Sequence, residues 1–421
     1  MSERSSRTST DLMTLPLRSL VAAATLLAAA CGNSPSDPAN GDATTIVPQT
    51  LLARAQGAVA SRFTAELTSL DAGQQGTFVY TSTWGRRSQG PCDLSTCGNV
   101  VYVWRITATA KIVDSLVVDD VSRTTTTGDV QVTDDGTLLV VATEPTGSIV
   151  IYSLADPAHP SLITRYSTPD LVNGVHTAQI SRVNGRLYAF CSIDPRGSAK
   201  ARLTIVDLSD PAAPREIFTR VMGNPFVHDV YVRGGYLFTA LWDDGVNIWD
   251  IGARGRGTPA APDSIANVHT VNGQVHNLYW DGGRWLFAGE EGPGSVGASS
   301  SGDVHVIDVA DLTRPREVAY YTVPNAGTHN FSVDEKSSIL YAAYYNAGVR
   351  ALDIRGDLGT CTPAQTGTAN RCDLAKMGRQ VGRGLDTGQP TVYVWGVEYA
   401  NGVLYASDML GGLWVLNTVT R

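Results

Sequence analysis

Four of the seven histidines recur at a nearly constant interval: His176, His228, His276 and His329 stand 52, 48 and 53 residues apart. Imidazole is the side chain best suited to ligating transition metals and to exchanging protons near neutrality. Four imidazoles at one place in successive segments could therefore converge on iron, copper or zinc. Polar residues follow at similar offsets, namely Glu144, Asp194, Asp243, Glu290, Asn346 and Asp408. Two further segments have Gly128 and Trp395 where the others have histidine. No GxSxG, P-loop, HExxH or dinucleotide signature accompanies them, so the sequence assigns no catalytic residue.

A repeat sets these positions. Segments of about 50 residues begin near residues 76, 129, 175, 227, 275, 328 and 394, and periods of that length mark stacked units. In VHDVYVRGGYLFTALWDDGVNIWDI, residues 227–251, three short runs with apolar alternation are separated by RGG and WDDG. A fourth run follows an Asp-Pro or Asp-x-x-x-Pro stretch, as REVAYYTV follows DLTRP. Short alternating runs bounded by Gly, Asn and Asp are strands. Four antiparallel strands per unit, seven units in all, predict an all-β, seven-bladed β-propeller. One four-stranded sheet cannot bury both faces, whereas a ring of them can. Small residues in LYAF, LFTA, LFAG, LYAA and LYAS mark the second strand of each blade, where sheets stack closely.

The segments LTIVD (203–207) followed by LSDPAAP, and VHVID (304–308) followed by VADLTRP, resemble the LVIVD repeat, and HDV (228–230) resembles its beginning. The resemblance covers residues 125–355 well and 394–418 in part. It implies a propeller in an exported or cell-surface protein and assigns no reaction.

In a propeller each of these histidines begins the innermost strand, beside one mouth of the central channel. The next strand returns to the same mouth, which brings the polar residues there. Two accounts follow. In one the histidines brace loops within or between blades. In the other they converge on a metal or a small ligand, with Asp243, Glu290 and Trp395 beside them. The WDDG aspartates read as a turn rather than a catalytic pair. The recurring Asp207, Asp250, Asp308 and Asp353 read as braces for backbone groups.

The ends and cysteines supply the rest. After Arg18, SLVAAATLLAAAC resembles a bacterial lipoprotein signal, with Cys31 as the lipidated residue. The pattern departs from that signal at Ala28, where leucine is usual. Residues 1–31 are thus the signal, 32–60 a flexible tether, and 61–421 the propeller. RFTAELTSL, 62–70, is the segment expected to supply the missing outer strand of the last blade, the alternative being that 46–70 packs outside the ring and closure is looser. Cys92 with Cys97 and Cys361 with Cys372 flank short loops and predict two disulfides, the second within an insertion at 355–391 that links the last two blades. Cys191 reads as a buried free thiol. The net charge of −8 offers no basic field for nucleic acid. The leading expectation is an envelope protein, lipid-anchored in the outer membrane, that acts as a noncatalytic scaffold with no cofactor. It would meet the bilayer through its anchor and an envelope protein, glycan or small ligand through its exposed face. A metal-dependent oxidoreductase or hydrolase using the histidine mouth is the alternative.

Overall fold

Successive residues of a strand point to opposite faces of its sheet, and here both faces are apolar. Leu187, Ala189 and Cys191 pack against Val140, Ala142, Ile149 and Ile151 of the preceding blade. Tyr188 and Phe190, between them in sequence, pack against Val230, Val232 and Leu237 of the following blade. Seven sheets stacked in this way form a seven-bladed β-propeller of antiparallel blades. The computed structural model describes residues 44–45, 48–53, 58–59, 61–62, 64–65, 77–83, 98–107, 109–118, 125–292, 302–387 and 391–419. The signal segment, Cys31, Cys92, Cys97 and residues 293–301 of the long loop of blade five lie outside them.

Blade three is the simplest unit, with Val175–Val183, Arg186–Ile193, Arg202–Asp207 and Arg215–Val221 paired in chain order from the channel outward. Blade four repeats it with Asp229–Arg233, Tyr236–Ala240, Val246–Asp250 and Asp263–Val268. The strand-end aspartates brace backbone as expected. Asp250 accepts from the N–H groups of Gly252, Arg254, Arg256 and Gly257 at 2.9 to 3.1 Å, and Asp207 accepts from Ser209 at 2.8 Å. In the Asp-Pro turn, Asp210 accepts from Ala212 N–H at 3.0 Å.

An N-terminal strand closes the ring, but it is not 62–70. Pro48–Ala53 pairs antiparallel with Gly412–Asn417 and completes blade seven. Pro48 is tolerated as the first residue of an edge strand, where its missing N–H breaks no ladder. This strand lies inside the stretch read as a tether. Ala58–Val59 and Thr64–Ala65 then pair along Thr77–Thr83, and Ser61–Arg62 along Val130–Gln131 of blade two. Thr77–Thr83 is therefore the second strand of blade one rather than its first. The side chains agree: Trp104 Nε1 donates to Thr81 Oγ1 at 2.8 Å, as Trp249 Nε1 does to Thr239 Oγ1 at 3.1 Å.

The stretch 355–391 also differs from expectation. Gln380–Gly384 is the outer strand of blade six, paired with Val349–Asp353, so the insertion interrupts blade six instead of linking it to blade seven. Its two alternate glycines and single apolar residue hide the strand pattern. Cys372–Asp373 adds a short parallel strand to Ala319–Tyr320 of blade five. The Cys361–Cys372 disulfide is formed, and Cys191 is a buried free thiol.

Candidate functional site

A local irregularity aims the histidines. In blade three Val175 pairs with Ile193 and Thr177 with Ser192, so His176 is the extra residue of a β-bulge. His276 occupies the same kind of bulge between Val275 and Asn277, and Trp395 between Val394 and Gly396. His228 and His329 are placed by their N–H groups, which donate to Ala240 and Ala343 carbonyl oxygens at 2.8 and 2.9 Å. A bulge redirects a side chain out of the pleat, here toward the channel mouth. Blade two carries Gly128 instead, where a Cβ would stand 2.6 Å from the carbonyl oxygen of His176. Glycine lets the strand bearing His176 approach.

The four imidazoles form one row. Ring centroids lie 4.4 Å apart for His176 and His228, 4.0 Å for His228 and His276, and 4.0 Å for His276 and His329. Trp395 stacks on His329 at 4.9 Å and Trp242 on His228 at 5.2 Å, while Phe226 packs edge-on to Trp242 at 5.4 Å. Together with Glu144, Asp194 and Glu291 they line a cavity of about 460 Å³.

Trp242 and Tyr345 occupy equivalent turns after the second strands of blades four and six. Their backbones are left-handed, with φ of 55° and 38°, a conformation unfavourable to bulky residues and sustained only by its surroundings. The next blade provides that support. Val275 N–H donates to Trp242 O at 3.1 Å, and Tyr345 and Val394 exchange both backbone bonds at 3.1 and 3.0 Å.

Charge is unevenly distributed along the row. Burial opposes protonation of His176, but the carboxylates of Glu144 and Asp194 outweigh it and raise its pKa to about 10. Glu144 Oε1 lies 3.3 Å and Asp194 Oδ2 4.0 Å from His176 Nδ1. Burial raises Asp194 to about 7 against the pull of His176. His228 goes the other way: burial, then the charges of His176 and His329, push it well below the usual imidazole value. Its Nδ1 is buried without a hydrogen-bond partner. Glu291 is raised by burial; its Oε1 accepts from Tyr345 Oη at 2.5 Å, and its Oε2 lies 3.9 Å from His276 Nε2.

Of the residues expected at the mouth, His176, His228, His276, His329, Trp395, Glu144 and Asp194 line the cavity. Asp243 does not; it is exposed on the WDDG turn, its N–H bonded to Asn224 O at 3.1 Å. Glu290 turns into blade five, where its Oε2 lies 3.1 Å from His305 Nε2, and burial raises it to about 7. Asp408 braces Trp414 Nε1 at 3.0 Å. The carboxylate the cavity receives in this sector is Glu291, one residue beyond Glu290. Phe226, Trp242 and Tyr345 are further residues that strand periodicity did not select.

The strand ending in Asp207, its Asp-Pro turn and the HDV start of blade four lie in the segments that match a known repeat. Residues 198–220 and 226–270 match the LVIVD repeat. These LVIVD segments include the outer half of blade three and all of blade four, and so contain Phe226, His228 and Trp242 of the mouth. No curated protein matches the chain. Solved structures share the fold. A chain of the mitotic checkpoint complex is 14% identical, with 96% of this chain and 100% of that one covered and a TM-score of 0.56. The C-terminal WD40 domain of Sif2 is 10% identical over 90% of this chain and 100% of that one, with a TM-score of 0.56. The β-propeller domain of Myceliophteria thermophila Cps50 (Swd1) is 12% identical over 89% and 100%, with a TM-score of 0.57. At these identities the likeness is one of fold.

Proposed function

We propose that this protein is a lipid-anchored propeller of the bacterial cell envelope that binds a small molecule in its histidine-lined mouth. The observation that carries the reading is the cavity of about 460 Å³, which is within the usual size of small-molecule sites. Phe226, Trp242 and Trp395 offer apolar walls to the body of a ligand, and imidazoles with Glu291 offer a polar floor to one end. Bulges and left-handed turns in several blades aim side chains at one spot. Unfavourable backbone of this kind clusters at binding sites.

Ligand-observed NMR with a set of small aromatic and aliphatic amines, thiols and carboxylates tests it. Fragments with an apolar body and one polar end bind at a single site, and binding is lost in the Trp242→Ala/Trp395→Ala double variant. Absence of such binding, or its persistence in the double variant, overturns the reading. The anchor is tested separately. Cys31→Ser releases the protein from the membrane fraction, and unchanged retention contradicts lipidation at Cys31.

Turnover at the same mouth, as an oxidoreductase or hydrolase, is the second reading. It is favoured by one ligand atom each of His228, His276 and Glu291 lying within 4.8 Å of the others.

A further inference from the structure

Three clusters of histidine and carboxylate donors occur among the described residues, each with its ligand atoms within 4.8 Å of one another. They differ in how their donors are held. In Glu290, Asp303 and His305, the imidazole is bonded at both nitrogens, at 3.1 Å to Glu290 and 2.6 Å to Glu317. Arg371 enters from the insertion, donating to Glu317 with Nη2 3.9 Å from Asp303. That cluster is a filled ion-pair network. In Glu144, His176 and Asp194, the imidazole is likewise engaged, Nδ1 lying 3.3 Å from Glu144.

The third cluster, His228, His276 and Glu291, is arranged differently. His228 has a buried Nδ1 with no hydrogen-bond partner, an arrangement that costs free energy unless something is bound there. Glu291 is buried and offers a ligand atom within 4.8 Å of those of His228 and His276. Tyr345 Oη holds Glu291 Oε1 at 2.5 Å and leaves Oε2 on the side of His276, 3.9 Å from its Nε2. An outer hydrogen bond of this kind orients a metal-ligating carboxylate.

We propose that His228, His276 and Glu291 bind a divalent first-row transition-metal ion at the channel mouth. Two imidazoles and one carboxylate form a donor set that suits iron, zinc or copper and leaves coordination positions open. The three donors line the same cavity as Trp242 and Trp395. The inference rests on the reading of the mouth as a ligand site and adds to it the ligand class: a small apolar molecule whose polar end coordinates the ion. Tyr345 is a positioning residue.

The test is a titration of chelator-stripped, tag-free protein with Co²⁺, followed by visible absorption and by elemental analysis after dialysis. One equivalent binds per chain. Glu291→Gln and His276→Gln each weaken binding at least about 100-fold, more than loss of an outer-shell partner would, while Asp243→Asn binds as wild type does. His228→Phe, which keeps a ring in place, also loses binding and guards against misfolding of the other two, with circular dichroism confirming the fold. Absence of stoichiometric binding overturns the proposal, as does equal affinity in folded His228→Phe or an equal loss in Asp243→Asn. Fragment binding that survives in the stripped protein while Co²⁺ fails to bind removes the metal and leaves the ligand site standing.

Discussion

Trp395 stacks on His329 with ring centroids 4.9 Å apart and planes 20° apart, although the two residues begin the inner strands of different blades. The tryptophan thus occupies the histidine place of blade seven and ends the imidazole row. Its indole lines the cavity, whereas Phe238 of blade four is fully buried. Phe238→Ala is expected to cost about 3–5 kcal/mol, the range for a fully buried aromatic ring. Trp395→Ala should cost about half as much, because fewer packed contacts are lost. Urea unfolding of both variants checks the order, and a larger loss for Trp395→Ala would place that ring in the core.

Closure by Pro48–Ala53 makes a prediction about truncation. A chain starting at residue 44 retains the strand that completes blade seven and should melt with full-length mature protein. A chain starting at residue 57 exposes the edge of Gly412–Asn417 and should lose at least about 5 °C. Thermal circular dichroism of the two truncations makes the comparison, and coincident melts would mean the strand is dispensable.

The disulfide between Cys361 and Cys372 closes a loop of 11 residues. Loop-closure entropy for this length is worth about 3 kcal/mol. Cys361→Ser/Cys372→Ser should lose about that much in denaturant unfolding. The effect should be strongest around blade five, because Arg371 beside the bridge donates to Glu317. Hydrogen exchange at Val271, whose N–H donates to Glu317 at 2.8 Å, should accelerate in the variant.

Asp250 carries a pH dependence of definite sign. Burial opposes its charge, but four backbone N–H donors prevail and lower its pKa from 3.8 to about 2. A carboxylate lowered on folding contributes stability that is present above pH 3.8 and lost as pH falls through about 2. Wild type should therefore exceed Asp250→Asn in unfolding free energy near neutrality, with the gap narrowing below pH 4. A gap that widens in acid would show the donors bracing the neutral form.

The propeller and the convergence of histidines were legible because both follow from one period. His176, His228, His276 and His329 share a place in it, and a closed ring turns a shared place into proximity. What escaped the period was local. Glu290 and Glu291 are neighbours at a strand end, and Glu291, one residue beyond the last paired position, is the one that lines the cavity. Trp242 and Tyr345 reach the mouth through left-handed backbone, which hydrophobic alternation does not encode. The closing strand PQTLLA is short and follows a polar stretch, and QVGRG is separated from its partner strand by an insertion. The first is an edge strand and the second lies between Val349–Asp353 and Thr44–Thr45, and the place of each is fixed by pairing with a distant segment more than by its own pattern.

Whether the row is a site or a set of braces comes down to His228. The decisive measurement is the unfolding free energy of His228→Phe against wild type, both treated with chelator. A binding residue whose buried Nδ1 lacks a partner in the free protein contributes nothing by its polarity, so the variant should match wild type or exceed it by up to about 1 kcal/mol. A brace would show the opposite: a loss of about 1–3 kcal/mol, the cost of removing a satisfied buried hydrogen bond, would contradict the account.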